Sequence, residues 1–136
     1  MAALTTYRNT PEKRGDVIDL LVKAATTVHQ GSLVVVDAGY AAPGRTATGL
    51  VAAGRAEDSA TAVGAGDAVV RVRRGTFRFG NSAAGDLIAQ PDVGADCYIV
   101  DDQTVAKTHA TNTRSRAGIV IAVDDDGVWV QIGLGL

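Results

Sequence analysis

Cysteine occurs once in the 136 residues, at Cys97, which excludes an intrachain disulfide and any cysteine-rich zinc site. Histidine is almost as scarce. His29 and His109 lie far apart with no second His or Cys beside either, so each reads as a hydrogen-bonded structural residue rather than a metal ligand. Aromatic residues number six, Tyr7, Tyr40, Phe77, Phe79, Tyr98 and Trp129. Glutamate is rare against aspartate, with only Glu12 and Glu57. Glu favours helix interiors whereas Asp favours turns and caps, so this imbalance points away from helix. Long hydrophobic runs are missing too. The longest, Leu33–Val36 and Ile119–Val123, fall far short of the roughly 20 residues a membrane helix needs. The opening Met1-Ala2-Ala3-Leu4-Thr5-Thr6 has neither the basic nor the apolar region of a signal peptide, so neither export by that route nor a membrane span is expected. A net charge of −2, from 13 basic and 15 acidic side chains, removes the strongly basic signature of a nucleic-acid coat.

What is present fits one ordinary β domain. The length suits a single core without staples, and 46% hydrophobic with 21% charged residues is a globular composition. Sixteen glycines and the excess of Asp indicate many turns. Residues 1–15 are polar, contain Pro11 and show no apolar period. They read either as a frayed terminus or as an arm that orders on a partner through Tyr7. Residues 16–136 form the expected β domain.

Within that domain, residues 16–25 admit a short helix capped by Asp16 or a strand, the β-branched Val17, Ile18 and Val22 tilting the balance toward strand. The unbroken apolar Leu33-Val34-Val35-Val36 predicts a strand buried on both faces. Residues 37–44 read as turn, 48–55 as a strand interrupted at Gly54, and 57–67 as a surface loop. Val70 and Val72 share a period-two face with Arg74, Thr76 and Arg78, whereas Phe77 and Phe79 fall on the opposite one. Both apolar sets can be buried only if the chain bulges or kinks, and Arg74-Gly75 is the natural place. Residues 86–90 form a short apolar piece before a turn at 91–94. Cys97–Val100 pairs with Thr104–Lys107 across Asp101-Asp102-Gln103, and Ala117–Val123 with Val128–Ile132 across an Asp-Gly turn. Seven to nine short antiparallel strands result, the signature of a small β-barrel or sandwich carrying an extended N-terminal arm.

No catalytic, cofactor-binding or metal motif is found. Gly49–Gly54 lacks the Lys and Ser/Thr of a phosphate loop, and Gly64-Ala65-Gly66 lacks the third glycine and helix of a dinucleotide site. No serine sits in a nucleophile elbow. Cys97, without a cationic neighbour, reads as a small buried hydrophobe. Asp101-Asp102 and Asp124-Asp125-Asp126 lack calcium-loop spacing and read as hairpin turns. Arg71, Arg73, Arg74 and Arg78 with Phe77 and Phe79 allow a single-strand nucleic-acid platform. The plainer reading is a solvated or subunit-facing basic strand over a Phe-lined core.

The run Val93-Gly94-Ala95-Asp96-Cys97-Tyr98-Ile99-Val100-Asp101-Asp102-Gln103-Thr104-Val105-Ala106-Lys107-Thr108 resembles the capsid cement, or head decoration, proteins of tailed bacteriophages and prophages. So do Arg116-Ala117-Gly118-Ile119-Val120 and Val123-Asp124-Asp125-Asp126-Gly127-Val128-Trp129-Val130. Upstream, Arg45-Thr46-Ala47-Thr48-Gly49-Leu50 and Arg74-Gly75-Thr76-Phe77-Arg78-Phe79-Gly80-Asn81-Ser82 are similar to the same pattern. The resemblance covers most of residues 45–132 and rests on turn and strand signatures rather than on an active-site motif.

It implies a non-enzymatic, mostly β protein of the virion that assembles in the host cytoplasm and binds the outside of the expanded head. As homotrimers on the major capsid protein, it would reinforce the shell against internal DNA pressure. No cofactor, membrane or direct nucleic-acid contact is implied. Polar arms of shell-binding proteins can add a strand to a sheet edge of their partner. Tyr7, Arg8, Lys13 and Arg14 are therefore the expected capsid-binding residues, and Arg71, Arg73 and Phe77 the expected subunit interface. The competing expectation is a small β-barrel that binds nucleic acid through the Arg71–Phe79 face.

Overall fold

The computed structural model describes residues 2–135; Met1 and Leu136, the outer ends of the two expected segments, lie outside the described residues. The strands are β1 Val17–Leu21, β2 Thr26–Val28, β3 Leu33–Asp37, β4 Tyr40–Pro43, β5 Val51–Ala56 and β6 Ala60–Ala62. They continue as β7 Val69–Arg73, β8 Gly75–Phe79, β9 Asp96–Ile99, β10 Val105–Ala106, β11 Arg116–Asp124 and β12 Gly127–Ile132. Among the described residues helix is confined to two short 3₁₀ turns, Ala84–Asp86 and Gln90–Asp92. These strands form a five-stranded sheet in the order β1-β7-β5-β3-β4, a second in the order β10-β9-β11-β12-β8, and a ribbon of β2 with β6. All the pairings within these sheets are antiparallel.

Two hydrophobic cores explain the layering. The first lies between the large sheets. Leu33, Val35, Ala42, Leu50 and Ala52 meet Phe79, Cys97, Ile99, Val120, Val128, Val130 and Ile132 there. The second lies on the other side of the first sheet, where Val22, Val34, Ala41, Ala53, Val70 and Val72 pack with Val28 and Ala62 of the ribbon. Strand β3 therefore sends Leu33 and Val35 one way and Val34 the other, which is why its sequence is apolar without alternation. Its expected two-sided burial is borne out.

Neither large sheet closes into a barrel; the two share the first core between them, a layering compatible with the sandwich of the two architectures expected. Each sheet nevertheless curls until its edges touch at one isolated parallel bridge, Val22 with Ala41 in the first sheet and Gly80 with Thr104 in the second.

Local expectations fared unevenly. Residues 17–21 are strand, not helix. Gly54 does mark an irregularity, because the register of β5 on β3 shifts beside Val34 and Val35. A Cβ there would lie 2.2 Å from the Arg73 carbonyl oxygen. The chain breaks direction at Arg74-Gly75 as expected, and more sharply than a bulge. β7 belongs to the first sheet and β8 to the second, so Val70 and Val72 enter one core while Phe79 enters the other.

Three expectations require correction. Among the described residues strands number twelve rather than seven to nine. Residues 37–44 are not all turn: Ala38 and Gly39, both with positive φ, make a two-residue hairpin, and Tyr40–Pro43 pairs with β3. The 57–67 segment is not simply loop, since Ala60–Ala62 pairs with β2.

Candidate interaction surfaces

Residues 2–16 carry neither helix nor strand, and every one of them is exposed. Tyr7 is 92% exposed and Leu4 69%. Before Gly15 the hydrogen bonds of its described residues are local, the Thr10 amide donating to the Arg8 carbonyl and Arg8 Nη1 to Thr10 Oγ1. Arg14 Nε lies 3.8 Å from the Asp16 carboxylate, and Lys13 is exposed beside it. Tyr7, Arg8, Lys13 and Arg14 thus share one solvated segment.

Its root is fixed. The Arg74 amide donates to the Asp16 carbonyl at 2.8 Å, Arg74 Nη1 to the Gly15 carbonyl at 3.1 Å and Arg74 Nη2 to the Gly133 carbonyl at 3.4 Å. The corner where the chain passes between sheets is therefore also the anchor of the N-terminal segment.

Arg71 and Arg73 stand on the outward side of β1 and β7. Their pairing sets Val17 opposite Arg73, Asp19 opposite Arg71 and Leu21 opposite Val69. Cross-strand partners share a face. Because Arg73 also opposes Arg55, and Arg55 opposes Leu33, this is the side of the first sheet that bears the first core. The second sheet does not extend far enough to cover it. Leu21 and Val69 are each 51% exposed, and Tyr40 stands near Leu21, both close to Gly66.

The arginines of this face are already engaged. Arg71 Nε lies 3.5 Å from Asp19, while Arg73 contacts Asp16 at 3.5 Å and Glu57 at 3.4 Å. Glu57 also binds Arg55 at 2.5 Å, and hydrogen bonding from Arg55 is the main reason its carboxyl sits below the usual range.

Phe77 lies apart from them, in the second sheet. It packs half-buried against the first core with the Arg55 guanidinium 4.4 Å from its ring centroid. Arg78 faces outward over Trp129, at 5.7 Å, with Asp126 3.8 Å away. The structure thus places Arg71 and Arg73 in one sheet and Phe77 and Arg78 in the other, with Glu57 and Arg55 bridging Arg73 to Phe77.

Several further groups that the sequence singles out are accounted for structurally. Cys97 is buried and its thiol is pushed up to about 12, chiefly by burial, as expected of a small core residue. Asp124 Oδ1 accepts the Asp126 and Gly127 amides, and Oδ2 accepts Trp129 Nε1 at 2.8 Å. Asp101 Oδ1 accepts the Gln103 amide. Both acidic clusters therefore serve hairpin turns. The turn after β11 centres on Asp125-Asp126, not on the expected Asp-Gly pair. Asp37 is held below the usual range first by a hydrogen bond from Lys23 and then by Arg45, at 2.7 and 2.9 Å. His109 Nδ1 accepts the Asn112 amide in a turn whose residues Ala110, Thr111 and Asn112 all have positive φ.

Sequence reasoning missed Leu21 and Val69, whose alternation with Leu20 and Val70 makes either pair equally eligible for the core. Compared with protein-family models, curated proteins and solved structures, the chain matches none.

Proposed function

We propose that this protein is a non-enzymatic head decoration protein of a tailed phage or prophage. It would bind the outer surface of the expanded capsid through its N-terminal segment and stabilise the shell against internal DNA pressure. The observation that carries the reading is the continuous exposure of residues 2–16 on a compactly cored β body. This adds to the resemblance over residues 45–132. An extended segment with free backbone groups can add a strand to a capsid subunit, main-chain hydrogen bonds supplying affinity and Tyr7, Arg8, Lys13 and Arg14 supplying specificity.

Self-association, as trimers in this reading, uses the uncovered outward face of β1 and β7. Leu21 and Val69 provide apolar area at one end of this face, and the Asp19–Arg71 and Asp16–Arg73 pairs follow from there along the two strands. Apolar area beside charged groups, arginine among them, is common at protein interfaces. The nucleic-acid alternative draws less support, since Arg71 and Arg73 spend their charge on neighbouring carboxylates.

The test is co-sedimentation with undecorated, expanded heads. Saturable binding at a fixed ratio to the capsid subunit is expected, and a chain lacking residues 1–14 should remain a folded oligomer that no longer binds. Full-length folded protein that fails to bind such heads would overturn the proposal. Tight, salt-sensitive binding to single-stranded oligonucleotides would favour the alternative.

A further inference from the structure

Strands β7 and β8 form one bent run that is flanked differently on its two sides. On one side β5 pairs with β7 and β12 pairs with β8. The chain after β12 carries this flank onward, since the Leu134 amide donates to the Ala52 carbonyl of β5. On the other side β1 covers β7 as far as the Asp16–Arg74 hydrogen bond, and there the cover ends. Strand β8 has no second neighbour. Among the described residues, no backbone hydrogen bond joins Gly75–Phe79 to any element but β12. Half of its peptide groups thus face outward unpaired, an open strand template. An open groove of about 380 Å³ at this corner is lined by Gly15, Asp16, Arg74, Gly75, Gln131 and Ile132, so the root of the N-terminal segment stands beside the start of β8.

We infer that the free edge of β8 is a docking site for the chain's own residues Glu12–Arg14, which extend β1 around the Arg74 corner. Three features select this occupant. Residues 12–14 directly precede the strand that already flanks β7, so no loop need be closed. Continuing the observed one-for-one register of β1 on β7 sets Arg14 opposite Thr76, Lys13 opposite Phe77 and Glu12 opposite Arg78. The last pair joins opposite charges across the ladder, on the outward face where Arg78 lies over Trp129. The register then meets Pro11, which has no amide to donate and ends the added strand. Docked, Glu12–Arg14 blunts an edge otherwise open to foreign strands; released, it leaves the exposed segment described above. This switch of the free protein does not depend on the decoration reading.

A disulfide trap tests it. Glu12→Cys with Arg78→Cys is placed in the intact chain, where buried Cys97 stays silent, and oxidised beside a control pairing Glu12→Cys with Thr61→Cys on the distant ribbon. Docking predicts an intrachain cross-link forming at least about ten-fold faster than in the control, because adjacency raises the effective concentration. A cross-link between chains instead would overturn the assignment to the chain's own segment. Formation no faster than in the control would overturn docking itself. Hydrogen exchange without any substitution gives a second readout. Outward amides within Gly75–Phe79 should exchange several-fold faster when residues 1–14 are deleted, and unchanged rates in a folded deletion variant would also sink the inference.

Discussion

The Arg55 guanidinium stacks 4.4 Å above the Phe77 ring and so links β5 of the first sheet to β8 of the second. Glu57 accepts a hydrogen bond from Nη2 of the same guanidinium and also reaches Arg73. Three strands, β5, β7 and β8, are thereby tied at the corner where the two sheets diverge. A cation over an aromatic face is attracted by the ring quadrupole, worth about 0.5–1 kcal/mol at a half-exposed site. A double-mutant cycle of Arg55→Met and Phe77→Leu should return a coupling energy of about that size, read from denaturant unfolding. Strict additivity would mean that the stacking is incidental to stability.

Close backbone approach gives a sharper expectation at Gly118 in β11. A Cβ at this position would fall 2.0 Å from the Gln131 carbonyl oxygen of the neighbouring strand, and backbone cannot yield as a flexible side chain can. Gly118→Ala should cost about 2–3 kcal/mol, the usual penalty of overpacking, and lower Tm by roughly 5–10 °C in a domain of this size. Gly85→Ala, with nothing within 4 Å of the new methyl, is the control and should shift Tm little. Equal effects at the two positions would show that the clash is relieved.

These contacts mark where the sequence was readable and where it was not. The kink at Arg74-Gly75 could be inferred because Val70 and Val72 conflict in phase with Phe77 and Phe79, and only a change of direction buries both. Strand β3 was legible because two-sided burial leaves an unbroken apolar run. The ribbon was not. Thr26–Val28 and Ala60–Ala62 are three-residue strands built largely of Thr and Ala, too short to show a period. At the surface, polarity exposed the N-terminal segment. Leu21 and Val69, however, alternate like core residues, and their exposure follows from how far the second sheet reaches, which no local pattern encodes.

Burial of Cys97 makes the thiol a reporter of unfolding. With its ionisation pushed up to about 12, almost no thiolate exists at neutral pH, and the side chain is fully covered. Thiolate is the reactive form, so an aromatic disulfide reagent should label native protein only through opening events. Labelling should accelerate steeply across the denaturant transition and follow the same midpoint as circular dichroism. Rapid labelling of the native state would place Cys97 nearer the surface than the structure does.

Trp129, the single tryptophan, is wired to Asp124 by the bond from Nε1 to Oδ2. That bond, followed by the Asp126 amide, holds the Asp124 carboxyl below its ordinary value. The folded state thus favours the ionised form more than the unfolded chain does. The resulting stabilisation is complete above the ordinary carboxylate value of about 3.9 and disappears as pH falls through the lowered native value. Acidification should therefore change Trp129 emission with a midpoint below about 3.9, reversibly and ahead of global unfolding if the hairpin opens locally. In Asp124→Asn that step should be absent, and the variant's stability deficit relative to the parent should shrink toward zero as both are taken to low pH. A native midpoint at or above the ordinary value, or an unchanged titration in Asp124→Asn, would show that the indole does not report on this carboxylate.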